Sequence, residues 1–281
     1  MHLPRAIYSG PKEFSKDETI VLLDQEFHHI VNVKRLAAKD QLEVYHLQSR
    51  NFALAEVTSI AKDSVTLRIQ KTAKKKSPRS TTIICGLPEL STAEGIIEKC
   101  GELGVSKLVF FNANRSQGYL IKKIDTRRLN RWQKISFSAF KQSLQANPLQ
   151  IGLETSLEAA LSSMEKLDIK YSSRIFLHPD LSEKPSSVSL TDLLKLPKQK
   201  HSKQVLPNNF SNIPDSENPL KKPLEITEQD AEVYIVIGPE GGLSETEVSL
   251  LNNSGFHHGT LGLGILRVET AAVLASGLAI L

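Results

Sequence analysis

Cysteine is nearly absent. Cys85 and Cys100 are the whole supply in 281 residues, too few for a disulfide framework, and neither has a histidine or cysteine neighbour at zinc-ligand spacing. Both are expected as buried, reduced thiols, and no residue set calls for a metal. Long apolar runs are lacking too: Val233 to Ile237 and Ala271 to Leu281 fall short of the ~20 residues that cross a bilayer. Met1-His2-Leu3-Pro4-Arg5 has no apolar signal core, so the expectation is a soluble, cytoplasmic protein with no membrane partner. No internal repeat is visible, and neither a Walker lysine nor the spaced dinucleotide fingerprint accompanies the glycines.

What is present is a globular composition, 40% hydrophobic and 23% charged, which excludes collagen and wholesale disorder. The length favours two domains. The net charge of +4 is clustered. Lys71, Lys74, Lys75, Lys76 and Arg79 form an acid-free run. Lys122, Lys123, Arg127, Arg128, Arg131, Lys134 and Lys141 crowd a stretch with only Asp125 as an acid. Such clusters suit a polyanion, with solvated surface as the alternative for any single run.

From Ile20 to Gln70 the pattern is of short strands, at 19–23, 41–47, 51–60 and 64–69, with period-2 alternation in Ala53-Leu54-Ala55-Glu56-Val57. Phe27, Ile30 and Val31 have the spacing of one short helix within 27–36. A small closed barrel over 1–73 follows, because closure removes exposed edges, with Ser77-Pro78 in the linker. Over 79–281 strands and helices alternate, predicting a parallel sheet covered by helices, an α/β fold. Strands are expected at 82–87, 107–111, 174–177 and 232–237. Helices are expected at 92–103, capped by Ser91 with Glu94, at 127–144 with Leu129, Trp132, Ile135 and Ala139 inward, and at 268–281. The proline-rich stretch at about 196–224 reads as a mobile insertion.

The strand 233–237 runs straight into Gly238-Pro239-Glu240-Gly241-Gly242-Leu243, followed by Ser244, which can cap a helix starting near Glu245. Ligands in open α/β sheets bind beyond the carboxyl ends of strands, and glycines there let backbone N–H groups approach them. A second glycine segment, Leu261-Gly262-Leu263-Gly264-Ile265-Leu266-Arg267, leads into Glu269-Thr270-Ala271. Two such loops can wall one pocket.

These two segments, Ile237 to Val248 and Ile265 to Ala271, with Leu177-His178-Pro179 as a third, resemble the motifs of the RsmE family of SPOUT-class methyltransferases. Weaker likenesses are Pro4-Arg5, His28-His29-Ile30 with Arg35, Glu102-Leu103-Gly104-Val105, Arg115-Ser116, and Trp132 followed by Gln142-Ser143. The resemblance implies a PUA-like RNA-binding barrel joined to a SPOUT domain with a trefoil knot, acting as a homodimer. It implies methylation of uridine N3 in small-subunit (16S) ribosomal RNA with S-adenosyl-L-methionine. It places the cofactor against Leu177, His178, Pro179, Ile237, Gly238, Pro239, Gly241, Gly242, Leu261, Gly262, Leu266, Thr270 and Ala271. Arg267 and Glu240 are the catalytic candidates, with an ion pair of Arg267 to Glu240 or Glu269 as the structural alternative. Arg5, Arg35, Arg115, Arg127, Arg128, Arg131 and Gln142 are the candidates for RNA contact.

The sequence departs from the family pattern at Lys141, where a glutamate is usual, at Leu263-Gly264, where the loop usually continues Pro-Arg, and at Val268. Two alternatives therefore stand beside the uridine reading: a non-catalytic RNA-binding assembly factor, and a methyltransferase redirected to another base. The apolar helix from Ala271, with the small residues Ala275, Ser276 and Gly277, is the expected dimer contact, which Ala275→Arg would break.

Overall fold

The computed structural model describes residues 3–11, 13–75, 79–116, 118, 120–163, 172–178, 188–195, 232–262 and 264–280. The proline-rich stretch, Ser77-Pro78 and Pro179 lie outside the described residues. In chain order the elements are β1 (Arg5–Tyr8), β2 (Thr19–Leu23), α1 (Asp24–Phe27) running into a π-helix at His28–Val33, β3 (Gln41–His46), β4 (Phe52–Ile60) and β5 (Ser64–Ala73). Then come β6 (Thr81–Gly86), α2 (Leu90–Leu103), β7 (Lys107–Phe111), α3 (Thr126–Ser143), β8 (Gln150–Glu154) and α4 (Leu157–Ser162). The C-terminal part holds β9 (Ser172–Leu177), β10 (Val188–Ser189), α5 (Leu190–Lys195), β11 (Glu232–Ile237), α6 (Glu245–Asn253), β12 (His257–Thr260) and α7 (Val268–Ile280).

The chain divides into two compact units. One comprises Met1–Pro78, Glu94–Ser106 and Ile124–Ile151; the other comprises Arg79–Ala93, Lys107–Lys123 and Gly152–Leu281.

The first unit is built on a five-stranded sheet in the order β1-β3-β4-β5-β2, antiparallel except for the β1–β3 pair. Alternation decides its inner face: Leu42 and Val44, Ala53, Ala55 and Val57, and Val65, Leu67 and Ile69 pack together with Ile30. On a second cluster Tyr45 and Phe52 meet Phe140 of α3, with Tyr45 and Phe140 edge to face at 4.8 Å. Arg5 closes that cluster. Its guanidinium lies 4.5 Å from the Phe140 ring centroid, pairs with Glu43 at 2.6 Å, and donates to the carbonyls of Phe140 (3.0 Å) and Gln145 (2.8 Å). With its side chain wholly buried, Arg5 is a clamp for the end of α3 and not an RNA contact, which corrects the expectation.

Two further expectations change on α3. Leu129 is 42% exposed rather than inward, and the buried face is Trp132, Ser136, Ala139 and Phe140. Ser91 does not cap α2, because the helix already begins at Leu90. Glu94 instead accepts from Arg128 (2.7 Å) and from Arg131 Nε and Nη2 (2.9 Å each), so one carboxylate is shared by two arginines and the trio keeps a net positive charge, with Arg131 64% exposed. The bonds from Arg131, and secondarily Arg128, hold the Glu94 carboxyl below the usual carboxylate range. A lowered folded-state pKa gives stability that is present above the ordinary glutamate value and is lost as pH falls through the lowered one. Glu94→Gln should therefore lower Tm by a few degrees at neutral pH, with parent and variant converging in acid; thermal melts across pH check this.

The second unit is a seven-stranded sheet, β10-β12-β9-β11-β6-β7-β8, in which β10, β12, β9, β11, β6 and β7 run parallel. Strands β6, β7 and β11 are buried along nearly their whole length and apolar beyond their first residues, as sheets covered on both faces require. One layer of core joins Ile84, Val109, Phe176, Val236, Leu251 and Phe256. Helix α7 packs against β6 and β11, burying Ala271, Ala272, Ala275 and Ser276. Ala275 is thus core within one subunit, and an arginine there would disrupt folding rather than report on a dimer.

Candidate active site

Register places the site. Cys85 of β6, Ile237 of β11, Leu177 of β9 and Gly259 of β12 lie side by side across four adjacent strands. The loops that follow all leave the sheet at the same carboxyl edge, where open α/β sheets bind ligands. A cavity of about 720 Å³ opens there. It is lined by Leu177 and His178, by the whole turn Gly238, Pro239, Glu240, Gly241 and Gly242, and by Leu261, Leu266, Arg267 and Ala271. Three segments far apart in sequence thus meet in one cavity.

Two of the expected lining residues do not reach it. Gly262 is held by two bonds involving Thr260 Oγ1, and Thr270 is on the exposed side of α7. Pro179 lies outside the described residues. The cavity also takes in residues that the sequence reading missed, chiefly Glu89 and Thr92 after β6, Thr260, and Glu269. The signal for Glu89 was available: it follows the carboxyl end of a strand, as the glycine turn does.

The turn is shaped by close packing. Gly242 N donates to Pro239 O at 2.8 Å. A Cβ on Gly238 would sit 2.9 Å from Gly242 C and Leu243 N, and one on Gly86 would lie 2.5 Å from Pro239 Cδ. A Cβ on Gly241 would meet Arg115 Cβ and Arg115 O at 3.0 Å. The absent Cβ of Gly241 therefore makes room for Arg115, while Gly241 itself still lines the cavity. Arg115 in turn lines this cavity and reaches Gly241 O at 3.4 Å. The loop bearing it is pinned by Glu247, whose carboxylate accepts from Asn114 N (2.9 Å) and Ser244 N (2.7 Å) while Ser244 caps α6. His258 stacks on Phe176 at 5.0 Å and meets the carbonyl of His178 at 2.9 Å, fixing the third loop.

Arg267 and Glu240 both line the cavity and both are exposed. Among the described residues Arg267 pairs with neither Glu240 nor Glu269, so its guanidinium is free to meet a ligand. Of the remaining arginines, Arg35 and Arg127 are exposed, as is Gln142, and Arg127 makes only a 3.2 Å surface pair with Asp125. That pair is too solvated to remove its charge.

A parallel sheet with a glycine-walled cavity at its carboxyl edge, in a chain that also carries a curled small sheet, defines an α/β ligand-binding enzyme domain with an accessory module. The chain belongs to the RNA methyltransferase domain family, which it matches over residues 75–207 and 185–280, and residues 22–70 match the RNA methyltransferase PUA domain. It is 29% identical to the ribosomal RNA small subunit methyltransferase E of Bacillus subtilis (strain 168), over 94% of this chain and 90% of that one. Identity to the protein of the same name from Helicobacter pylori (strain J99) is 23%, over 94% of this chain and 96% of that one. In fold it resembles the crystal structure of a ribosomal RNA small subunit methyltransferase E from Neisseria gonorrhoeae bound to S-adenosyl methionine, with a TM-score of 0.71 at 21% identity, covering 98% of this chain and 95% of that one.

Proposed function

We propose that the chain methylates N3 of a uridine in small-subunit ribosomal RNA with S-adenosylmethionine, in the cytoplasm and as a homodimer. The observation that carries this reading is the convergence of the three motif-bearing loops on one cavity of about 720 Å³. Its volume falls in the range of roughly 300–1,000 Å³ typical of cofactor sites. Leu177, Ile237, Leu261 and Leu266 offer an apolar slot for an adenine, and Glu89, Glu240 and Glu269 place carboxylates around it, which favour a sulfonium. The names of the relatives support ribosomal RNA as substrate. Residues 1–73 are read as the RNA-holding module and 79–281 as the catalytic domain.

When bound, the cofactor supplies an electrophilic methyl carbon on a positively charged sulfur. The chain's task is to hold uridine N3 in line with it, excluding water. Transfer of that methyl group would also require loss of the N3 proton, for which the chain must provide a base. Glu240 is placed to accept that proton. Arg267 is placed to stabilise negative charge on uracil O2 or O4. The uridine must be unpaired, because N3 is used in base pairing.

The test is transfer of labelled methyl from S-adenosylmethionine to small subunits or their RNA, taken from a strain lacking this gene, with the modified nucleotide mapped by mass spectrometry. 3-Methyluridine is expected. A methyl group on another base would overturn the uridine assignment, and cofactor binding without transfer would favour the assembly factor.

The dimer reading rests on apolar surface beside the cavity. Ile265 is 70% exposed, and Leu274, on the outward side of α7, is 41% exposed. Leu274→Arg should halve the mass seen by sedimentation equilibrium while leaving the thermal melt of the subunit intact. A parent protein of one-chain mass would end the dimer claim.

A further inference from the structure

A second cavity, of about 1,600 Å³, lies within the first unit, between the sheet with its π-helix and helix α3. Nothing in the methyl-transfer site uses it. Its acids are largely engaged: Glu26 accepts from Lys141 and from Ile7 N, and Asp40 accepts from Ala37 N, leaving Asp24. Arg5 and Lys141, which also line it, are paired with Glu43 and Glu26, but three other cations are not engaged. Among the described residues Lys34, Arg35 and Lys134 enter no ion pair, and all three are exposed.

The π-helix sets this geometry. Lys34 N donates to His29 O at 2.9 Å, and Arg35 follows in the left-handed region at φ 56°. Both features are uncommon in a non-glycine segment and recur at functional sites. His29, on the same turn, lines the cavity with its Nε2 buried and without a hydrogen-bond partner. Burial, with Lys141 nearby, pushes its imidazole pKa down, so the ring is neutral at physiological pH. Phe137 and the exposed amide of Gln142 line the opposite wall from α3. One wall thus carries an aromatic ring and an amide, the other an unsatisfied imidazole, and the rim carries free positive charge.

We infer that this cavity is a base-reading subsite for single-stranded RNA. A nucleobase stacks on Phe137 and is hydrogen-bonded by His29 and Gln142, while Lys34, Arg35 and Lys134 hold the flanking phosphates. Stacking with edge hydrogen bonds is how unpaired bases are recognised, and cations alone would give only backbone contact. The inference deepens the reading of the chain as an RNA methyltransferase and rests on it.

The experiment titrates the full chain with a fluorescent oligoribonucleotide of about eight nucleotides, the size of one single-strand site, in parallel with calorimetry of S-adenosylmethionine. Phe137→Ala, and Phe137→Leu, which keeps the volume, should each weaken oligonucleotide binding about tenfold. Lys34→Ala with Arg35→Ala should lower the slope of log affinity against log salt by about 1.4, at about 0.7 per lost phosphate contact. Cofactor affinity should not change in any of them. Unchanged oligonucleotide affinity in both Phe137 variants would overturn the site, as would equal binding of a duplex or equal competition by polyphosphate. A parent protein that binds the oligonucleotide but neither binds cofactor nor transfers methyl would instead sink the functional reading alone.

Discussion

Gly238→Val should lower S-adenosylmethionine affinity by about a hundredfold or more, measured by calorimetry. A Cβ at this position meets Gly242 C and Leu243 N at 2.9 Å, closer than real Cβ contacts. Both obstacles are backbone atoms, so relief requires opening the turn that Gly242 N closes on Pro239 O. That turn is one wall of the cavity, and a displacement of even an ångström there removes aligned contacts, each tenfold in affinity costing about 1.4 kcal/mol. Strand β11 stays paired on both sides, so the fold should survive, with circular dichroism as the check. Gly277→Ala is the matched control, because a Cβ there meets nothing within 4 Å. Equal affinity in Gly238→Val would place the cofactor elsewhere.

Arg267→Ala should reduce methyl transfer about a hundredfold while cofactor affinity stays within a few-fold. The guanidinium lines the cavity and has no carboxylate partner among the described residues, so its removal leaves no buried charge unpaired and little stability is lost. What is lost is a donor aimed at charge that develops in the transition state, typically worth 100- to 1,000-fold in rate. The comparison with Glu240→Gln separates the roles. If Glu240 accepts the N3 proton, its variant should lose rate at neutral pH and recover part of it as pH rises and the uridine ionises unaided. Arg267→Ala should show no such recovery. A turnover unchanged in Arg267→Ala would return that residue to a structural part.

The apolar strands and the glycine turn were legible because their signals are local. Val233 to Ile237 reads as a buried strand, and Ser244 announces the helix starting near Glu245; both stand as expected. Misreadings arose where partners are distant. An arginine at position 5 looks like surface, and only the fold brings Glu43 and the end of α3 around it. The sharing of Glu94 by Arg128 and Arg131, 34 and 37 residues later, is likewise invisible to any local pattern. Strand β12 reads His-His-Gly-Thr and has no strand character of its own; pairing with β9 and the stacking of His258 on Phe176 create it. Glu89 was overlooked because no motif contains it, although its place after the carboxyl end of β6 was a signal, and Gly86 before it makes room for Pro239.

The clamp at Arg5 also bears on how the protein is made. The first unit is complete only with residues up to Ile151, and the ribosome must deliver 62 residues beyond Pro78 (140 − 78) before Phe140 can cover Tyr45 and Phe52. At roughly 5–20 residues per second, the nascent sheet spends on the order of 3–12 seconds with those rings uncovered and Arg5 short of two acceptors. During that interval the first unit cannot close its second cluster, however early its sheet has formed.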